Sequence, residues 1–244
     1  MGIQFIQNLI DIIRKKDKRQ NYLIYIDEKG EEHFNPQVKG LKVLFLGEQS
    51  LVKVYTKKFN NCKIVCTSNN YVEIKQTKHC INNLITPIPM SKHSKLFIDE
   101  DLFCASIKIF LCDEENKTIT IGKDCMFSFD VVLWASDGHS IYDTNSLKIL
   151  NKPLFGITIG NHCWISRNVS ILKDVSVPDN VIIGCGSIVT NSTKKLENTV
   201  MGGVPAKIIK RNTNWSRKNT DSYADIFQND IATQDFCQDK MSLY

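Results

Sequence analysis

Residues 159–190 read IGNHCWISRNVSILKDVSVPDNVIIGCGSIVT, and their reading decides the fold. Stepping by six from Ile159 gives Ile165, Ile171, Val177, Ile183 and Val189, all β-branched aliphatics. The neighbouring phases are different. One residue on are Gly160, Ser166, Leu172, Pro178, Gly184 and Thr190, and three on are His162, Asn168, Asp174, Asn180, Gly186 and Ser192. Four on, small or β-branched residues return as Cys163, Val169, Val175, Val181, Ser187 and Thr193. A helix would repeat at three and four, and a sandwich strand would alternate by two throughout. A period of six fits a triangular coil of three short strands. One aliphatic per side points to the axis, a small residue sits near each corner, and Gly, Asn or Asp take the turns.

The same phase runs upstream through Ile121, Phe127 and Leu133, with Cys125 and Val131 four places on. The step from Leu133 to Ile159 is 26 residues, which is not a multiple of six. Two residues, or a loop of eight, fourteen or twenty, therefore interrupt the coil after His139. The repeat domain is read as 119–211 with a loop over 140–156. Before residue 119 the pattern weakens. Leu41–Val54, Cys62–Cys66, Tyr71–Ile74 and Phe103–Leu111 read as strands between Asn-, Lys- and Glu-rich turns. Residues 41–118 are degenerate coils of the same solenoid or a small separate β unit, and the former is favoured. Residues 212–244 read as a terminal strap or helix.

The chain has 244 residues, which fits one domain, or one domain with a small companion, and a substantial core. With 42% hydrophobic and 23% charged residues it is globular, not disordered or collagen-like. A net charge of +5 gives no ground for a nucleic-acid partner. Nine Cys without a CxxC pair, and no secretory signal, favour a reducing cytoplasm. Over residues 1–20, Ile3, Ile6, Ile10 and Ile13 lie at helical spacing ahead of a basic run from Arg14 to Arg19. That order is the reverse of a signal peptide. An amphipathic helix packing on its own domain or on another subunit is the expectation, in preference to one lying on a membrane surface. No 18-residue apolar run occurs anywhere.

Three features carry chemistry. Ser136-Asp137-Gly138-His139-Ser140-Ile141-Tyr142-Asp143 sits where the register breaks, so His139 lies at the root of a loop on a rigid scaffold. Asp137 and Asp143 are neighbouring carboxylates that could orient it. Trp164 falls at a corner, where an indole cannot fit inside a narrow coil and must cover something outside. Gly184-Cys185-Gly186-Ser187 and Gly202-Gly203-Val204-Pro205-Ala206-Lys207 let backbone amides approach a ligand. From 207 to 218 five cations (Lys207, Lys210, Arg211, Arg217 and Lys218) occur with no acidic residue, which suits phosphate.

With these motifs, residues 119–223 resemble the left-handed β-helix (hexapeptide-repeat) acyltransferases. Among them they are most similar to bacterial capsular polysaccharide and polysialic acid O-acetyltransferases. The Asp-Gly-His-Ser-Ile-Tyr-Asp, Asn-His-Cys-Trp-Ile-Ser and Gly-Val-Pro-Ala-Lys segments carry the likeness, with Ile119–Cys125 and Asn214–Lys218. The left hand of the coil comes from the resemblance alone. The resemblance implies an all-β fold and a homotrimer with active sites between subunits. It also implies direct transfer of acetyl from acetyl-CoA to a hydroxyl of a sialic acid-type or other capsule or lipopolysaccharide sugar.

By the same resemblance His139 matches the general base and Trp164 the residue beside the acetyl group. Ser166 stands where the family has Gly, Cys185 where it has Ala, and Thr190 where close relatives carry an aromatic. Lys207 matches the lysine that meets the phosphates of coenzyme A, with Gly184 and Lys210 beside that path. Asp137 and Tyr142 are placed toward the acceptor. The free imidazole of a histidine is available near neutral pH. The donor is already activated, so Cys163 and Cys185 are read as fillers of the coil. No metal is expected, because a zinc site needs three ligands and the repeat region holds only His139 and His162. Two rivals stand beside the glycan reading: a same-fold acetyltransferase for a small molecule such as serine or an antibiotic, and a non-catalytic assembly module.

Overall fold

A computed structural model describes residues 20–218, so the helix expected over 1–20 lies, but for its last residue, outside the described residues, as do 219–244. The chain divides into a unit ending at Thr213 and a second unit from Asn214. In the described part of the second, the Arg217 guanidinium lies 5.2 Å from the Trp215 ring centroid. Among the described residues every named element is a strand, and no helix is long and apolar enough to cross a membrane.

The first unit is a three-sided coil. Each turn visits three parallel sheets in fixed order. The first sheet holds Tyr22–Ile26, Leu51–Val54, Tyr71–Ile74, Lys95–Ile98, Thr118–Ile121, Gly156–Ile159 and Val175–Val177, with Glu32–Phe34 antiparallel at its outer edge. The second runs from Phe59–Asn60 through Met126–Phe127, Trp164–Ile165 and Ile182–Ile183 to Thr199–Gly203. There Ala206–Arg211 folds back antiparallel as a closing hairpin. The third runs from Leu41–Phe45 through Ile107–Phe110, Val131–Trp134 and Ser170–Leu172 to Ile188–Val189.

Register shows why aliphatics recur. On the first side Val52, Val72, Leu96, Ile119, Ile157 and Val175 pair in one ladder. On the second, Phe59, Ile81, Cys104, Phe127, Ile165, Ile183 and Met201 form another. All are buried, so each coil adds a layer to one continuous core. Full burial of such a side chain contributes about 1.5–3 kcal/mol. Corners are turned by left-handed residues: Asp124, His162, Asn180 and Asn198 at one, Asp130 and Asn168 at another, with φ between 51° and 58°. Asn and Asp tolerate that conformation better than branched residues do.

The strands of residues 41–118 belong to these same three sheets, and Tyr22–Ile26 already pairs with Leu51–Val54, ahead of the Leu41 boundary read from the sequence. The repeat is hidden there because the coils are longer. Ile157 and Val175 are 18 residues apart, whereas Val72 and Leu96 are 24 apart and Leu96 and Ile119 are 23 apart. The extra residues swell the corners and leave the inward positions intact. Ile121 and Ile159 pair at a spacing of 38, which is 20 more than the 18-residue coil. The interruption after His139 is therefore the twenty-residue loop.

Candidate active site

The loop leaves the third side after Val131–Trp134 and returns to the first side at Gly156–Ile159. It thus springs from the corner between those two sides. Its outer part pairs with itself: the Asp143 amide donates to Lys148 O at 2.9 Å and the Leu150 amide to Ile141 O at 2.8 Å. Tyr142 bridges Ile149 there. The Asp143 carboxylate accepts from the Asn145 and Ser146 amides and the Ser146 hydroxyl, so it closes this turn.

The return limb is tied to the coil by buried charges. Asp174 accepts from the Leu154 and Phe155 amides at 2.8 and 2.9 Å. The Lys117 ammonium donates to the Pro153 and Leu154 carbonyls at 2.9 and 3.3 Å. Such charge-assisted bonds satisfy backbone groups that the loop would otherwise leave open.

A cleft of about 160 Å³ opens at the root of this loop. His139 lines it with Glu114, Ser136, Asp137, Ser140 and Lys152. The His139 ring is exposed to it. Asp137 takes no part in orienting that ring. Its carboxylate accepts from Asn151 Nδ2 at 2.8 Å and from Lys173 Nζ. Burial opposes its charge, but these hydrogen bonds and the Lys173 ammonium outweigh burial and hold its carboxyl below the usual range. Since Asp143 is likewise spent on its own turn, both carboxylates considered for orienting His139 have other work, because each is drawn to the nearer donors.

Trp164 lies on the second side, in register with Met126 above and Ile182 below. It is half-buried, as is the adjoining Ser166, whose amide bonds Ile183 O at 3.0 Å. At the neighbouring corner His162 Nδ1 meets Asp124 Oδ2 at 2.7 Å, so this imidazole fixes two coils together. Thr190 belongs to a hydroxyl turn, 3.1 Å from Thr193 Oγ1. Gly184 O accepts from Ser187 Oγ at 2.6 Å, and Ser187 Oγ also accepts from the Gly203 amide at 3.1 Å. These bonds join the Gly184-Cys185-Gly186 turn to the closing hairpin; Cys185 is exposed on that turn, so unlike the buried Cys163 it does not fill the coil as its sequence position suggested.

Lys207 and Lys210 sit on that hairpin, both exposed. A second cleft of about 310 Å³ is lined there by Ser192, Thr193, Lys194, Pro205, Lys207 and Arg211. Three cations with two hydroxyls make a donor set suited to phosphate groups. Of these, Lys194 escaped the sequence reading, and Ser192 and Thr193 entered it only as positions of the repeat. No residue lines both clefts.

The coil's own geometry separates the candidates. Trp164 and the hairpin of Lys207 belong to the second sheet. His139 occupies the corner where the third side passes to the first. In a triangle that corner is opposite the second side, so within one chain His139 and the Trp164 strand belong to different parts of the coil.

Comparison with known proteins finds relatives both by fold and by sequence. The structure of the polySia specific acetyltransferase NeuO is 30% identical, covering 74% of this chain and 80% of that one, with a TM-score of 0.50. The chain belongs to the hexapeptide-repeat acetyltransferase family. Among curated proteins, a polysialic acid O-acetyltransferase of Escherichia coli O1:K1 / APEC is 42% identical over 99 residues, which are 41% of this chain and 31% of that protein. A galactoside O-acetyltransferase of Escherichia coli (strain K12) is 34% identical over 124 residues, 51% of this chain and 58% of its own length. The chain therefore spans 31% and 58% of the length of these two curated relatives. No protein-family model matches it.

Proposed function

We propose that the chain is an O-acetyltransferase that moves acetyl from acetyl-CoA to a hydroxyl of a sialic acid-type or related cell-surface sugar, working in the cytoplasm. The observation that carries this reading is the pairing of one exposed histidine, at the mouth of a cleft rooted in the repeat loop, with a cationic, hydroxyl-lined cleft on the closing hairpin. The relatives' names supply the acceptor class, and the residues present fit the donor. Lys207, Lys194 and Arg211 would hold its phosphates and Trp164 would cover the acyl end.

Bound acetyl-CoA supplies an activated thioester, so the protein needs no nucleophile of its own. His139 Nε2 or Nδ1 accepts the proton of the attacking sugar hydroxyl and later returns a proton to the departing sulfur. Base catalysis of this kind contributes on the order of 10²–10⁴ in rate. The cleft walls carry both Lys152 and Glu114, so an acceptor with mixed polar groups finds partners of either sign.

A complete site then takes a second copy of the chain. His139 of one subunit would meet Trp164 and Lys207 of the next, in a homotrimer. The loop supports this: Ile141, Tyr142, Leu147, Ile149, Leu150 and Leu154 are each more than half exposed. A patch of that kind on a lone chain marks an interaction surface.

The reading is tested by incubating the chain with acetyl-CoA and a panel of sialylated, other capsular and monomeric sugars, then weighing the products. Gain of one acetyl ester on a sugar supports it. No product on any sugar, together with no thermal shift on adding coenzyme A, overturns it in favour of a non-catalytic module. Lys207→Ala should raise the KM for acetyl-CoA about tenfold or more, the worth of one charge-assisted bond, and leave the acceptor KM within twofold. Equal changes in both constants would make Lys207 a structural residue.

A further inference from the structure

One residue links every part of the His139 loop root. Backbone pairing between the loop's two limbs ends at the Leu150 amide and Ile141 O. Beyond that rung a side chain takes over. Asn151 Oδ1 accepts from the Ile141 amide at 2.7 Å, and Asn151 Nδ2 donates to His139 O at 2.8 Å and to Asp137 Oδ2 at 2.8 Å. A single carboxamide thus brackets His139-Ser140-Ile141 from both ends. Lys173, in the following coil, donates to Asp137 Oδ2 and to Asn151 O, and its side chain is only 19% exposed. The Lys173 ammonium therefore joins the outgoing limb, the return limb and the rigid coil beneath.

We propose that Asn151, braced by Lys173, is the positioning residue that fixes where the His139 imidazole is presented, an inference resting on the reading of His139 as the base. An exposed ring on a twenty-residue loop has no fixed place unless its backbone is held. Asn151 holds the His139 carbonyl itself, one bond from the Cα that carries the ring. A displacement of about 1 Å at a reacting group costs up to 10²-fold in rate. An aspartate at 151 keeps the acceptor for Ile141 but removes both donors and sets a second carboxylate against Asp137. An arginine at 173 keeps both donations, whereas methionine keeps only the stem.

Turnover and amide hydrogen exchange are measured on the full chain for Asn151→Ala, Asn151→Asp, Lys173→Met and Lys173→Arg. Expected for Asn151→Ala, Asn151→Asp and Lys173→Met is a kcat 10- to 100-fold below the parent. KM for acetyl-CoA and for acceptor should stay within threefold, with faster exchange over residues 139–142. Lys173→Arg should return kcat to within about threefold of the parent. Parental kcat in Asn151→Ala, or unchanged exchange over 139–142, overturns the proposal. So does a rise in KM with kcat unchanged. Should Asn151→Ala fail to fold, Asn151→Asp reads the same quantities. A parent with no transferase activity removes His139 as base, and exchange over 139–142 then decides by itself whether Asn151 holds the segment.

Discussion

His139→Ala should lower kcat by at least a hundredfold while the melting temperature and acetyl-CoA binding stay at parental values. The ring is exposed at the cleft and packs into no part of the core, so its removal leaves no cavity. With His139 as the proposed base, what would be lost is proton transfer from the acceptor hydroxyl, worth about 10²–10⁴ in rate. Steady-state kinetics with acetyl-CoA and an accepted sugar, beside calorimetric titration of coenzyme A, reads both quantities. Turnover within a few-fold of the parent would remove His139 as base. The proposed homotrimer adds a second outcome. At acetyl-CoA well below the parental KM, His139→Ala and Lys207→Ala subunits assembled together should turn over faster than the average of the two variants measured apart, because one seam in the proposed mixed oligomer pairs an intact His139 with an intact Lys207. Mixtures no better than the two variants measured apart would place the whole site within one chain.

Gly156→Ala should destabilise the fold by about 3 kcal/mol or more. Gly156 is the first residue of the strand that receives the chain back from the loop. Its φ is 125°, which side-chain-bearing residues rarely adopt, and a Cβ there would stand 2.1 Å from Thr118 O. The Thr118 carbonyl belongs to the neighbouring strand of the parallel ladder, so it cannot yield without breaking register. Gly184→Ala is a control: its Cβ would come no nearer than 3.4 Å to Met201 O. Denaturant unfolding of the two variants beside the parent checks the difference. Equal midpoints in all three would mean that the loop re-enters the coil with more freedom than its backbone shows.

The asymmetry between loop and scaffold also explains how far the residues could be read. Ile159, Ile165, Ile171, Val177, Ile183 and Val189 lie on coils of 18 residues, so each inward position recurs at a fixed interval and the three-sided fold follows. Val54, Ile74 and Ile98 occupy the same inward ladder as Ile159 and Val177, but their coils run to 20 and 24 residues. Core packing tolerates any corner length that restores the register, so a fixed period fails there while the architecture continues. His139 was legible because it sits at the break in the repeat, and Lys207 because it follows the small residues of the hairpin turn.

By itself, then, the sequence determined the layered aliphatic core, the place where the coil is interrupted and the chemical types gathered near it, since those depend on local spacing and side-chain character. Only the tertiary structure decided which of four loop lengths is real, that Asp137 bonds Lys173 and Asn151, and that His139 and Lys207 line separate clefts. Those are matters of which side of a triangle a residue occupies. Two positions 36 residues apart, such as Asp137 and Lys173, become partners only when a loop of fixed length returns the chain to the same corner one turn later.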